Sequence, residues 1–198
     1  MTTVTLTPGT LIVLEGLDKT GKSTQAEALG RILEPATTHH LHMPSGATSF
    51  TKNVYGLLES AEDAPMSGVA RQLAHLSCHA ETVPQLRHLL LNGGVVLDRW
   101  WWSTVAYGWF TGGLPAAGIT QAAFRNLVES IWGAVNASVV FLFDKPYETD
   151  ANNADPVADG YRRLAADTPN TVVVPQGDAV EITELIIAEL NRRGLTVT

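Results

Sequence analysis

The segment Gly16-Leu17-Asp18-Lys19-Thr20-Gly21-Lys22-Ser23 restricts what this chain can fold into more than any other stretch. Two glycines bracket four residues, and a lysine and a hydroxyl residue follow at once. Glycines at these places let successive backbone N–H groups turn toward one centre. A helix starting at Lys22 aims its positive N-terminus at the same centre. The flanks agree. Leu11-Ile12-Val13-Leu14 is a short continuous apolar run, as expected of a strand buried on both faces. Ala26, Leu29 and Ile32 follow at helical spacing, and the pattern stops before Pro35. Strand, loop and helix in this order make a cradle for the phosphates of a nucleoside triphosphate. Lys22 is expected to reach the β- and γ-phosphates, and the Ser23 hydroxyl to ligate Mg2+.

Strands and helices alternate through the rest of the chain. Val95-Val96-Leu97, announced by Asn92-Gly93-Gly94, reads as a second buried strand. Val139 to Phe143 and Val172 to Val174 read as two more, and Thr38 to His42 as another. Helical spacing is expected over Val69 to Leu91, broken or bent near Pro84, over Gln121 to Val135 and over Glu181 to Leu195. The pattern implies an α/β chain of three layers, a parallel central sheet with helices on both faces, in one domain of 198 residues. Asp144 to Asp159 is acidic and rich in Asn, Asp and Pro. It reads as a surface loop of the kind that closes over a site.

Net charge is −7, which argues against broad binding to nucleic acid but leaves room for a local phosphate nest. Cys78 is the single cysteine, so no intrachain disulfide forms and a reducing cytoplasm is expected. No apolar run approaches a membrane span, and Met1 to Thr10 lacks the basic start and apolar centre of a signal peptide.

A second chemical signal is Val95-Val96-Leu97-Asp98-Arg99. An acid at the carboxyl end of a buried strand is where such a fold places a carboxylate near Mg2+ and the reacting phosphate. Arg99 can fork onto a phosphate.

With both pieces placed, the chain resembles the thymidylate kinase family of P-loop nucleoside monophosphate kinases. Glu15 to Gln25 is similar to that family's P-loop, including the acid at Asp18. Met43-Pro44-Ser45-Gly46-Ala47-Thr48 is similar to its proline loop after the second strand. Asp98-Arg99-Trp100 with Ser103, Ala106 and Tyr107 resembles its Asp-Arg-aromatic motif, and Gly177-Asp178-Ala179 the loop beside the adenine. The resemblance implies that Gly16, Leu17, Thr20, Gly21, Lys22, Ser23 and Thr24 hold the phosphates of ATP, with Asp178 beside the base. It implies Ser23 and Asp98 for Mg2+, and Asp18, Lys19, Lys22, Asp98 and Arg99 as the catalytic group. Asp18, His42, Pro44, His75, His79, Arg99, Trp100, Ser103 and Tyr107 would hold the acceptor monophosphate. The family also implies a homodimer, packed through helices such as Val69 to Leu91.

The chain departs from the family's pattern in three places. His42 or Met43 stands where an arginine clamps the acceptor phosphate. His75 and His79, spaced i, i+4, stand where an aromatic and an arginine read thymine. Imidazole stacks and donates, but it offers no guanidinium fork. The segment that should carry lid arginines holds only Lys145, with Arg162 and Arg163 coming afterwards. Charge on the phosphates would then fall to Lys19, Lys22, Arg99 and Mg2+.

Plainer roles stand beside these. Cys78, Trp101, Trp102 and Trp109 suit core packing, Arg71 suits a solvent-facing helix position with phosphate contact left open by its place on the helix beside the acceptor site, and the histidines match no zinc signature. The leading expectation is ATP-dependent phosphorylation of a deoxynucleoside monophosphate, dTMP by default, with a modified pyrimidine or another deoxynucleotide left open by His75 and His79. A deoxynucleoside or other hydroxyl kinase of the same fold is the alternative, as is a nucleotide-binding protein with degenerate catalysis.

Overall fold

The structure, a computed structural model, describes residues 3–44, 48–60, 66–110, 113–133 and 135–197. Ser45, Gly46 and Ala47 of the expected proline loop lie outside the described residues. Along the chain run β1 (Thr5–Leu6), β2 (Leu11–Gly16), α1 (Lys22–Ile32), β3 (Thr38–His42), α2 (Ser49–Glu59), α3 (Gly68–Asn92), β4 (Gly94–Asp98), α4 (Trp101–Phe110), α5 (Gln121–Trp132), β5 (Val139–Phe143), α6 (Asp155–Ala166), β6 (Thr171–Val173), α7 (Ala179–Arg192) and β7 (Thr196–Val197).

Strand β2 lies at the centre of a parallel five-stranded sheet of order β3-β4-β2-β5-β6, and β1 pairs antiparallel with β7 beside it. Every residue of β2, β4 and β5 is buried, which explains their unbroken apolar runs. Alternation still sorts their side chains by face. Leu11, Val13, Val95, Leu97, Val140 and Leu142 join Leu76 and Val83 of α3, Trp102 of α4, Phe124 of α5 and Tyr161 of α6. Ile12, Leu14, Val96, Val139, Phe141 and Phe143 join Leu29 of α1 and Ile182, Ile186 and Leu190 of α7. Each large apolar side chain buried in this way is worth ~1.5–3 kcal/mol. The expected three-layer fold is therefore present.

The register levels the carboxyl ends of the central strands. His42 pairs with Asp98, Asp98 with Leu14, and Gly16 with Phe143. Pro44, the P-loop, Asp98 and the segment after β5 consequently meet on one rim, where open α/β sheets bind ligands.

Three elements differ from expectation. Helix α3 runs unbroken through Pro84, because Thr82, Val83 and Leu86 are buried on both sides of it and keep the helix docked. Helix α2, which hydrophobic spacing does not announce, buries only Thr51 and Leu58 and starts with a capping box at Thr48. Asp155 to Asp159 is not loop but the first turns of α6. Pro156 there sits in the first turn, where its missing N–H costs nothing, and Val157, Ala158 and Tyr161 are buried.

Candidate active site

Between β2 and α1 the backbone takes left-handed turns at Gly21 (φ 88°) and Lys19 (φ 60°), and Gly16 sits at φ 135°. A Cβ at Gly16 would overlap the Phe143 carbonyl, so only glycine fits. Lys22 is buried and donates to the Leu17 carbonyl and, at 3.3 Å, to Thr20 Oγ1. Burial, reinforced by the charge of Arg99, lowers its pKa to about 8. The lysine thus folds back on its own loop, beside the nest it would share with phosphate. Ser23 and Thr24 are exposed in the first turn of α1. Leu17 is buried, so it serves the loop by its backbone and its place in the core.

Arg99, at the end of β4, is the second left-handed non-glycine residue here (φ 67°). Its guanidinium donates to Asp18 Oδ1, to the Gly16 carbonyl at 3.3 Å and to Ser103 Oγ at 3.1 Å, and it lies over the Tyr107 ring. Burial works against its charge, but the carboxylates of Asp18 and Glu15 outweigh that and hold it protonated. Asp98 Oδ1 is buried without a hydrogen-bond partner among the described residues. With Ser23 it offers an all-oxygen donor set, the kind magnesium takes.

A cavity of about 600 Å3 opens beside the P-loop. Asp18, His42, Pro44, His75, His79, Arg99, Trp100, Ser103 and Tyr107 all line it, so the structure brings together every acceptor-side candidate. Arg71, for which the sequence leaves both solvent and the acceptor site open, lines the cavity and donates to the Leu58 carbonyl at 3.2 Å. Gln72, Thr104, Tyr55 and Asn152 line it too, and no sequence signal singled them out. The inner histidines carry no charge at neutral pH. Burial, then the charges of Arg71 and Arg99, takes His75 to about 4; burial, then His75, takes His79 to about 3. His79 Nε2 lies 3.0 Å from Thr104 Oγ1.

A second cavity, about 180 Å3, lies on the other side of the loop between Thr20, Gly21, Thr24, Phe143, Tyr147, Pro175, Gly177, Ala179 and Ile182. Asp178, between two of these, instead caps α7, accepting from Val180 N at 2.8 Å and Glu181 N at 2.9 Å.

The segment between β5 and α6 covers the loop without arginine. Asn153 Oδ1 accepts from Asp18 N at 2.8 Å and its Nδ2 donates to the Asp18 carbonyl at 2.7 Å. Tyr147 N donates to the Lys19 carbonyl at 2.9 Å, and the Tyr147 hydroxyl donates to the Gly177 carbonyl at 2.8 Å. Lys19 itself is exposed, 4.0 Å from Glu148. Arg162 pairs with Asp159, and Arg163 lies over Phe110.

Glu15 is the residue whose part was least visible in advance. It is fully buried at the end of β2. Burial raises its pKa above the usual carboxylate range, against the charge of Arg99 and hydrogen bonds from Ser103 and Trp100. A charge interrupting the run Leu11 to Gly16 was the signal available.

A parallel sheet of this order, with a phosphate-cradling loop after its central strand and a cavity on each side of that loop, defines a P-loop kinase of the α/β class. The thymidylate kinase family model matches residues 14–154, and the chain belongs to that family. A thymidylate kinase of Anaplasma marginale (strain Florida) is 27% identical over 171 residues, covering 80% of this chain and 81% of that protein. One of Ectopseudomonas mendocina (strain ymp) is 32% identical over 143 residues, covering 71% and 66%. Among solved structures, thymidylate kinase from Ehrlichia chaffeensis shares the fold with a TM-score of 0.74 at 22% identity, over 93% of this chain and 100% of that one. Thymidylate kinase from Candida albicans gives 0.72 at 21% identity, over 100% and 97%.

Proposed function

We propose that this chain transfers the γ-phosphoryl group of ATP to the 5′-phosphate of dTMP, giving dTDP. The observation that carries the reading is that both cavities abut one loop. Thr20, Gly21 and Thr24 face the smaller, and Asp18 faces the larger with Arg99. Donor and acceptor phosphates bound on the two sides would meet at that loop. The chain's work is then to hold two anions in line and to offset their charge; no covalent intermediate is needed.

On the donor side, Lys22 exchanges the Leu17 carbonyl for phosphate oxygens and joins the loop amides. The smaller cavity receives the adenine. On the acceptor side, Arg99 faces the monophosphate, with Asp18 keeping the guanidinium oriented. Bound magnesium, held by Ser23 and Asp98, would offset charge on the phosphates. Lys19 is the loop's further cation. Tyr147 and Asn153 hold the covering segment over the loop and exclude water. The inner end of the larger cavity, with neutral His75 and His79 beside Trp100 and Thr104, suits an uncharged pyrimidine.

The same reading includes a cytoplasmic homodimer packed through α3, supported by Leu73, which is 53% exposed on that helix. Light scattering that returns the mass of one chain would remove the dimer. A coupled assay with ATP and Mg2+ over all deoxynucleoside monophosphates and nucleosides tests the reaction. Turnover of dTMP is expected. Turnover of nucleosides alone, or ATP binding with no turnover, would overturn it.

A further inference from the structure

Ser103 Oγ is a meeting point for three parts of the chain. It lies 2.7 Å from Glu15 Oε2, 3.1 Å from Arg99 Nη1 and 2.8 Å from the Tyr161 hydroxyl. A serine hydroxyl has one proton and two lone pairs. Its proton goes to Glu15, so its lone pairs accept from Arg99 and from Tyr161. Glu15 sets that direction. Its Oε1 accepts from Trp100 N at 2.6 Å and Ser103 N at 3.0 Å, and its Oε2 also accepts from Gly16 N at 3.2 Å. Every group that meets this carboxylate is a donor. Glu15 and Tyr161 are both fully buried, and neither lines the large cavity.

We propose that Glu15 and Tyr161 are positioning residues for phosphoryl transfer, acting through Ser103 on the guanidinium of Arg99. The inference rests on the kinase reading above. Arg99 needs such support: its backbone is in a sparsely populated region, and its side chain is long and flexible. The P-loop holds one side of the guanidinium through Asp18 and Gly16, and Ser103 holds the other. Tyr161 belongs to α6, directly after the segment that covers the P-loop. The hub therefore ties three pieces to one cation: the strand before the loop, the helix after Arg99 and the helix after the cover.

Steady-state kinetics and dTMP calorimetry on Tyr161→Phe, Ser103→Ala, Glu15→Gln and the double variant Tyr161→Phe/Ser103→Ala test this. Tyr161→Phe removes one oxygen and keeps the packed ring. It should lower kcat with dTMP about 10-fold, the scale of one lost hydrogen bond, and leave KM for ATP within about twofold. Glu15→Gln should cost roughly 100-fold, as misplacing a positioning group does, and Glu15→Asp should recover part of that. The double variant should be no slower than Ser103→Ala, because both changes act through one oxygen. Losses that multiply in the double variant would overturn the inference. So would a Tyr161→Phe enzyme with wild-type kcat, whatever its melting temperature, since the cluster would then only brace α4. A wild-type protein inert toward dTMP would remove the kinase reading, and this inference with it. An active wild type with indifferent variants removes the inference alone.

Discussion

His79 offers a stability prediction with a worked magnitude. The ring is 2% exposed, 3.0 Å from Thr104 Oγ1, and edge-on to Trp132 with centroids 5.5 Å apart. Burial takes its pKa down to about 3, while the unfolded chain titrates it near ~6.5. Between those values the unfolded state binds a proton that the folded state refuses. Stability must therefore fall as pH drops through that window, by about 1.4 kcal/mol per pH unit for each such histidine. From pH 6.5 to 4.5 this is roughly 2 kcal/mol, against a total of ~5–15 kcal/mol for a typical domain. His75, lowered to about 4, adds a slope of the same sign. The perturbation is His79→Phe, which keeps a ring against Trp132 and removes the titration. It leaves Thr104 without its partner, a pH-independent cost of ~1–3 kcal/mol. Urea unfolding followed by tryptophan fluorescence at pH 7.5, 6.5, 5.5 and 4.5 gives both curves. The variant should be the less stable at pH 7.5 and should draw level with the wild type, or overtake it, by pH 4.5. Other titrating groups contribute equally to both curves and cancel in the difference. Parallel curves would refute the reasoning, for His79 would then be protonated as easily folded as unfolded.

Further tests address the loop and its cover. Lys22→Ala should abolish transfer, by ~10^3 or more in kcat, while circular dichroism and melting stay near wild type; near-normal turnover would mean that the loop does not bind the triphosphate. Asn153→Ala removes two hydrogen bonds to Asp18, so deuterium exchange at the Asp18 amide should speed up and kcat fall about 10-fold; unchanged exchange would show that the cover is held elsewhere. Tyr147→Ala should raise KM for ATP several-fold at constant KM for dTMP, and a shift in the dTMP value alone would place Tyr147 outside the donor side. Gly16→Ala forces a Cβ into the Phe143 carbonyl, so soluble expression should collapse.

The features legible in the sequence were local ones. The loop Gly16 to Ser23, the apolar strands and Asp98-Arg99 announce themselves within a few residues, because glycine freedom and strand burial are short-range demands. His75 and His79 were also legible, since i, i+4 spacing on one helix sets a shared face without knowledge of what packs on it. The rest depends on pairings across the fold. Asn153 reaches Asp18 across 135 positions, and Glu15 meets donors 85 and 88 positions away. Nothing near Asn153 or Glu15 in the chain encodes those partners. Asp155-Pro156 read as loop because Pro and Asp serve helix starts and turns equally well; burial of Val157 and Tyr161 decides between them. Arg71 looked outward on its own helix, but α2 turns that face into a cavity wall, and α2 itself carries too few buried residues to show a periodic stripe.

The cover over the P-loop is fastened by the Asn153 amide and by backbone groups, with Lys19–Glu148 as its one exposed ion pair with the loop among the described residues. Neutral hydrogen bonds are indifferent to dissolved ions, whereas attraction between arginines and a triphosphate weakens as ionic strength rises. Most of these fastenings carry no net charge, so screening by salt acts on few of them. Among the described residues, the Lys19–Glu148 pair is the contact between cover and loop that dissolved ions reach.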